Sequence, residues 1–259
     1  MSMTTGRPAE VIWHDAECGA YDADLGLWRE LAERAPGPVL DLGCGTGRVA
    51  LHLARRGYEV VGVDAEAALI EEFSSRATGL PARGVVADVR ELDLGAKFSL
   101  ALAPMQLVQL LADEAERIAC LRGLAAHLSP GGIAALAIVE DVEAEDAGAR
   151  FPSMRREKRP SEPPPLPDTR EVDGVVYSSL PLPTIVDDEK LLVRRLRQVV
   201  SLEGLLSEEE STIRLRALDG AELEREAAAA DLEPLPRLYV APTPDHVGST
   251  VVVLRKAGA

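Results

Sequence analysis

The chain has 259 residues, 46% of them apolar, enough for one large domain or for a domain with a sizeable insertion. A formal charge of −15 disfavours a polyanionic partner, because nucleic-acid binders usually present a basic face. The basic cluster Arg155-Arg156-Glu157-Lys158-Arg159 reads as a solvated loop. Cys18, Cys44 and Cys120 have no metal-ligand spacing, which points to free thiols in a reducing compartment. His14, His52, His127 and His246 are scattered and give no zinc pattern, so no metal is expected. Residues 1–10 read as disordered and lack the apolar core of a signal peptide. No run approaches the ~20 apolar residues of a membrane span. A cytoplasmic protein that binds neither membrane nor nucleic acid is expected.

In chain order, residues 11–33 read as one helical region holding Trp13, His14, Tyr21 and Trp28. Residues 39–42 follow as a short strand buried on both faces. Next comes the glycine turn Gly43-Cys44-Gly45-Thr46-Gly47, and then a helical spacing over 49–56. Strands are expected at 59–63, 84–87, 98–103 and 133–139, with helices at 67–76 and 113–128 between them. Residues 129–132, Ser-Pro-Gly-Gly, read as a turn before the fifth strand. This alternation implies a parallel, doubly wound sheet with right-handed crossovers.

The alternation then stops. Residues 155–168 are charged and rich in proline, so they read as a loop. From Val175 the apolar period is nearer two. It gives strands at 175–180, 191–201 and 211–218, an antiparallel sheet inserted after the fifth parallel strand. Asp219 suits the N-cap of a helix over 221–230, and 237–241 and 250–255 read as a closing antiparallel pair. The expected organisation is an N-terminal lid over 1–38, a core over 39–150 and the loop with its antiparallel insertion over 151–218. Residues 219–259 then complete the core.

The glycine turn carries the chemistry. A strand that turns through glycines into a helix points backbone N–H groups at a bound ligand. The spacing here is G-x-G-x-G. Arg48 stands where the dinucleotide fingerprint has its third glycine, and no Lys follows as in a Walker loop. Asp41 puts an acid just before the turn. An acid there repels a pyrophosphate and attracts an ammonium group. Asp64 ends the second strand about twenty positions after Gly43 and can accept ribose hydroxyls. It also suits a helix cap. Asp88 ends the third strand, in Val86-Ala87-Asp88-Val89-Arg90-Glu91-Leu92, and would equally suit an ordinary turn.

Together these segments, in order from Val39 to Glu140, resemble the class I S-adenosylmethionine-dependent methyltransferases, and the small-molecule type in particular. The resemblance implies a Rossmann-like, mostly parallel seven-stranded sheet ending in an antiparallel hairpin, with S-adenosylmethionine as cofactor. It places Gly43, Cys44 and Gly45 under the methionine part and Asp41 opposite its ammonium group. Asp64 and Ala65 fall at the ribose, Asp88 and Val89 at the adenine, and Ala103, Pro104 and Met105 beside the sulfonium. Tyr21 falls in the segment that covers the cofactor in this family. Cys44 reads as a small contact residue without a nearby base. The family's Asn-Pro-Pro-Tyr motif is absent.

The reaction implied is in-line methyl transfer to nitrogen or oxygen of a small molecule, with His14, Tyr21, Glu140 and His246 as candidate bases. The acceptor is expected between the N-terminal region, where Trp13, Tyr21 and Trp28 could close over it, and the inserted sheet. That sheet would also provide a homodimer surface. A nicotinamide oxidoreductase and a non-catalytic cofactor-binding protein on the same fold are the alternatives.

Overall fold

The computed structural model describes residues 6–140, 166–187, 190–243 and 246–258. The chain divides into two compact units, one of residues 21–140 and 218–259 and the other of 1–20 and 141–217. The end of the expected core, the basic cluster and most of the proline-rich loop lie outside the described residues.

The first unit is built on a seven-stranded sheet. Its strands are β1 (Val39–Leu42), β2 (Val60–Asp64), β3 (Ala82–Val86), β4 (Phe98–Ala103), β5 (Leu128–Ile138), β11 (Leu232–Val240) and β12 (Ser249–Lys256). The order across the sheet is β3-β2-β1-β4-β5-β12-β11. β12 pairs antiparallel with both neighbours and the remaining pairs are parallel. The order reverses between β1 and β4, the place where open α/β sheets bind ligands beyond their carboxyl ends.

Side chains alternate across β1. Leu40 and Leu42 enter a core with Leu121 and Leu124 of α5 (Glu114–His127) and Leu223 of α6 (Gly220–Ala228). Val39 enters the opposite core, with Trp28 of α2 (Leu25–Arg34), Leu53 of α3 (Arg48–Ala54) and Phe73 of α4 (Ala67–Arg76). Asp219 caps α6, accepting from the Glu222 N–H at 2.7 Å, as its sequence position predicts.

Several elements differ from the sequence reading. The 11–33 region is two helices, α1 (Ala9–Cys18) and α2, and the unit boundary falls between them. β5 starts at Leu128. Its pairing jumps from Phe98↔Leu128 to Leu100↔Ile133, so Ser129–Gly132 still loops out of the ladder. β11 begins at Leu232, earlier than expected, because an edge strand tolerates Pro234 and Pro236.

The second unit holds β6 (Asp168–Val172), β7 (Val175–Pro181), β8 (Ile185–Asp187), β9 (Lys190–Ser201) and β10 (Gly204–Arg216). They pair antiparallel in the order β10-β9-β7-β6, with β8 also on β9. β6 begins at the last residue of the expected loop and runs through residues given no element in the sequence reading, and β10 starts seven residues before the expected strand. Residues Leu205–Glu210 lack apolar alternation; pairing with β9, rather than burial of a face, makes them a strand. α1 packs on this sheet. Ile12 and Trp13 meet Val175 and Tyr177, and the Trp13 and Tyr177 rings are 5.2 Å apart, edge to face. Glu17 accepts from Arg197 Nε at 2.7 Å and from the Ser179 hydroxyl at 2.7 Å.

A buried ion pair ties α5 to α6. Arg117 donates to Glu226 from Nε at 2.8 Å and from Nη2 at 2.5 Å, and both side chains are almost fully enclosed. Removing one charge from such a pair strands the other. Glu226→Ala is therefore expected to destabilise the protein by about 3–5 kcal/mol, measured by urea unfolding.

Candidate functional site

β1 delivers its chain to the turn at the carboxyl edge of the sheet. Gly43, Gly45 and Gly47 all have positive φ, at 63°, 55° and 90°. The Cys44 N–H continues the pairing with β2, bonding the Val63 carbonyl at 3.0 Å, and the Leu51 N–H bonds the Gly47 carbonyl to start α3. A side chain at Gly47 would meet Phe73 at 2.2 Å, so the third glycine is required by packing as well as by its backbone angle.

Asp41 and Asp64 flank this turn, and Asp88 follows β3 two strands away in the same sheet. Asp41 is 1% exposed and neither carboxylate oxygen has a well-formed hydrogen bond. Burial pushes its pKa up to about 7. The Arg48 guanidinium opposes that shift and the Ala50 N–H helps only weakly, while Asp24 and Asp64 add to the rise. Asp64 is already oriented: it accepts from the Gly45 N–H at 2.9 Å and from the Glu66 N–H at 3.0 Å. Asp88 caps the short 3-10 turn Val89–Glu91, accepting from the Arg90 N–H at 2.9 Å. Both of its oxygens also receive the Arg90 guanidinium, which holds its carboxyl down at about 2. Val89 is buried beside it and Ala65 is exposed after β2.

Past β4, Ala103 is buried, and Met105 and Gln106 both adopt left-handed backbone at φ 54° and 62°. Two successive non-glycine residues in that region store strain, a feature that concentrates at functional sites. Gln109, fully buried, braces this loop by bonding the Val139 N–H at 2.8 Å and the Val139 carbonyl at 3.1 Å.

The candidate bases fall in both units. Glu140 accepts from the Gly220 N–H at 2.5 Å and from the Thr250 hydroxyl, so it ties α6 and β12 to the end of β5. His14 lies on α1, in the unit that does not contain the turn. Tyr21 and His246 come together, with rings 4.6 Å apart and tilted by 33°. Burial, and then Asp24, raise the Tyr21 hydroxyl above its usual pKa, so it stays neutral. Burial, then Asp41 and Asp64, push the Cys44 thiol far up, which leaves it without thiolate. The tryptophans do not form the expected aromatic cover. Trp28 is fully buried beneath α2 and Trp13 packs on Tyr177. Among the described residues, no group of three or more His, Cys, Asp or Glu could hold a metal ion, and no helix is long and apolar enough to cross a membrane.

Residues 39–132, the stretch from β1 into β5, match the family of methyltransferase domains. Over that stretch the chain is similar to methyltransferase domains. The chain is 36% identical over 110 residues to the cypemycin N-terminal methyltransferase of Streptomyces sp., covering 42% of this chain and 45% of that one. It is 32% identical over 131 residues to the malonyl-[acyl-carrier protein] O-methyltransferase of Pseudescherichia vulneris, covering 50% and 49%. It thus spans about half the length of the curated relatives it matches. Its fold is similar to that of a sugar N-methyltransferase from Streptoalloteichus sp., with a TM-score of 0.71, 20% identity and 99% and 96% coverage. An amino pentose methyltransferase from Micromonospora echinaspora gives 0.68, 20%, 92% and 93%.

The raised pKa of Asp41 has a sign. A carboxyl whose folded pKa lies above its unfolded value of 3.8 contributes full stability below about pH 4, and that contribution is lost as pH rises through about 7. Asp41→Asn is therefore expected to gain stability over the wild type at pH 8, by about 4 kcal/mol at most, and little at pH 4. Urea unfolding of the cofactor-free protein at the two pH values reads the difference.

Proposed function

We propose that this protein is a methyltransferase that moves a methyl group from S-adenosylmethionine to a nitrogen or oxygen of a small molecule. The observation that carries the reading is Asp41, a buried carboxylate without a well-formed hydrogen bond, beside a turn built of three glycines. A cationic ammonium group next to a ring-bearing nucleoside is the ligand that such a set fits. Asp41 would take the ammonium group and the Gly43–Gly45 backbone would lie under the methionine part. Asp64, held open by the Gly45 and Glu66 N–H groups, would accept the ribose hydroxyls. Asp88 and Val89 would take the adenine. Arg90, which now holds both Asp88 oxygens and is itself partly exposed, would then have to share that carboxylate. Ala103 and Met105 would flank the sulfonium, and Tyr21 would cover it.

When bound, the cofactor supplies a methyl group on positively charged sulfur. The protein's part is to hold the acceptor in line with that bond and exclude water, and positioning alone can contribute roughly 7–11 kcal/mol. Of the candidate bases in the unit that carries the turn, Tyr21 stays neutral and Glu140 is committed to structural bonds, which leaves His246 as the group at this edge to take the acceptor's proton.

The relatives' names support the acceptor class, since they include a cypemycin N-terminal methyltransferase and a sugar N-methyltransferase. A nicotinamide oxidoreductase would have to set a pyrophosphate beside Asp41, with Arg48 in place of the third glycine. The non-catalytic alternative is separated from methyl transfer by turnover alone. A cytoplasmic protein free of nucleic acid belongs to the same reading. So does a dimer through the second sheet, where Leu202, Leu205 and Leu206 are exposed at the β9–β10 hairpin; sedimentation checks it.

S-adenosylhomocysteine is expected to bind in calorimetry and NAD is not; the reverse would overturn the proposal. Asp64→Ala should weaken S-adenosylhomocysteine by about 1.5–3 kcal/mol, and Asp64→Asn by less. Release of S-adenosylhomocysteine in the presence of aminosugars, free peptide N-termini or hydroxylated metabolites then tests transfer itself.

A further inference from the structure

Arg48 is the first residue of α3, directly after Gly47, and its side chain turns back onto the start of this unit. Nη1 donates to Asp24 Oδ1 at 2.5 Å and to the Tyr21 carbonyl at 2.9 Å, and Nη2 donates to Asp24 Oδ2 at 2.8 Å. Trp28, fully buried, donates from Nε1 to Asp24 Oδ2 at 2.8 Å. The Arg48 and Asp24 side chains are only 8% and 4% exposed. The guanidinium also lies 5.1 Å from the centre of the Tyr21 ring, and that ring stacks on His246. The Tyr21 ring thus contacts both the Arg48 guanidinium and the His246 ring.

His246 is held from its own side. It belongs to the β11–β12 connection, where the Thr243 hydroxyl accepts from the His246 N–H at 3.0 Å and the Thr243 N–H bonds the His246 carbonyl at 2.9 Å. β12 begins at Ser249, and Thr250 pairs with Ile138, the last residue of β5. This connection therefore lies at the carboxyl edge of the sheet, the edge that carries the glycine turn.

Taking a charge pair out of water is costly, and an apolar pair of similar size often gives more stability. A planar guanidinium offers something that apolar side chains and Lys do not: fixed bidentate geometry together with a flat face for an aromatic ring. Here that fork joins the glycine turn to both the backbone and the ring of Tyr21.

We infer that Arg48 and Asp24 are positioning residues, whose buried ion pair holds Tyr21 against His246 as a wall that retains the cofactor beside the glycine turn. The inference rests on the cofactor reading above. It makes the wall part of the rigid β1–α3 unit rather than a loose segment. Loss of the ion pair and loss of the Tyr21 ring should then be the same event seen from two ends.

The test is a double-mutant cycle on S-adenosylhomocysteine binding, followed by calorimetry and by dissociation rate, with the full chain. Arg48→Lys and Tyr21→Ala should each weaken binding about tenfold, mainly through faster dissociation, and the double variant should lose little more than either. Tyr21→Phe keeps the ring and should bind as the wild type does. In a Trp13→Phe background, emission from Trp28 should shift in Arg48→Lys, since Trp28 shares Asp24 with Arg48. Should Arg48→Lys not fold, Asp24→Asn, which keeps the shape and loses the charge, takes its place in the cycle. Unchanged affinity in a folded Arg48→Lys or Asp24→Asn, or losses that simply add, would overturn the inference and leave the methyltransferase reading standing. A wild type that does not bind S-adenosylhomocysteine would overturn both.

Discussion

The buried carboxylate of Asp41 is the constraint around which the cofactor edge is arranged. A core position between two parallel strands is the place where an apolar side chain would cost least, and the flanking Val39, Leu40 and Leu42 are apolar. An ionised carboxylate at such depth is strongly disfavoured unless a cation meets it. Arg48 is the cation whose charge bears on it most, yet Arg48 spends its hydrogen bonds on Asp24 and Tyr21. Asp41 therefore remains available to a positive group that arrives from outside the chain. The glycines beside it clear the backbone for close approach, and Asp64 is pinned by the turn itself. Ligand affinity and apo-state stability are in this way set against each other at one residue.

Much of this was legible in the sequence because it is local. G-x-G-x-G after an apolar run, the acids ending the second and third strands, and Asp219 before an amphipathic helix each place a residue type where short-range geometry demands it. The parallel pairing of the first five strands follows from their alternation with helices, and the seven-stranded sheet with its antiparallel closing pair agrees with that reading. Strand boundaries failed where pairing rather than patterning decides. Leu205–Glu210 and Leu232–Leu235 are each held by a neighbouring strand and carry no periodicity of their own.

The rest was hidden because it depends on contacts far apart in the chain. Nothing near Arg48 in sequence announces that it pairs with Asp24, nor that Arg117 pairs with Glu226. Trp13 and Trp28, read together as cover for a ligand, serve two different packing tasks, one on the second sheet and one beneath α2. Glu140, read as a possible base, closes the seam between β5, α6 and β12. Aromatic and acidic residues are ambiguous in sequence for this reason: the same chemistry serves a core, a cap or a site, and only the partner decides.

The most direct test of the account is proton release on cofactor binding. Calorimetric titration of S-adenosylhomocysteine at pH 6, in two buffers of different ionisation enthalpy, measures the protons exchanged. With the Asp41 pKa raised to about 7 in the free protein, an arriving ammonium group should expel nearly a full proton at pH 6 and almost none at pH 8, and Asp41→Asn should abolish the exchange. Binding with the same heat in both buffers at pH 6 would contradict the claim that Asp41 waits, buried and protonated, for a cation.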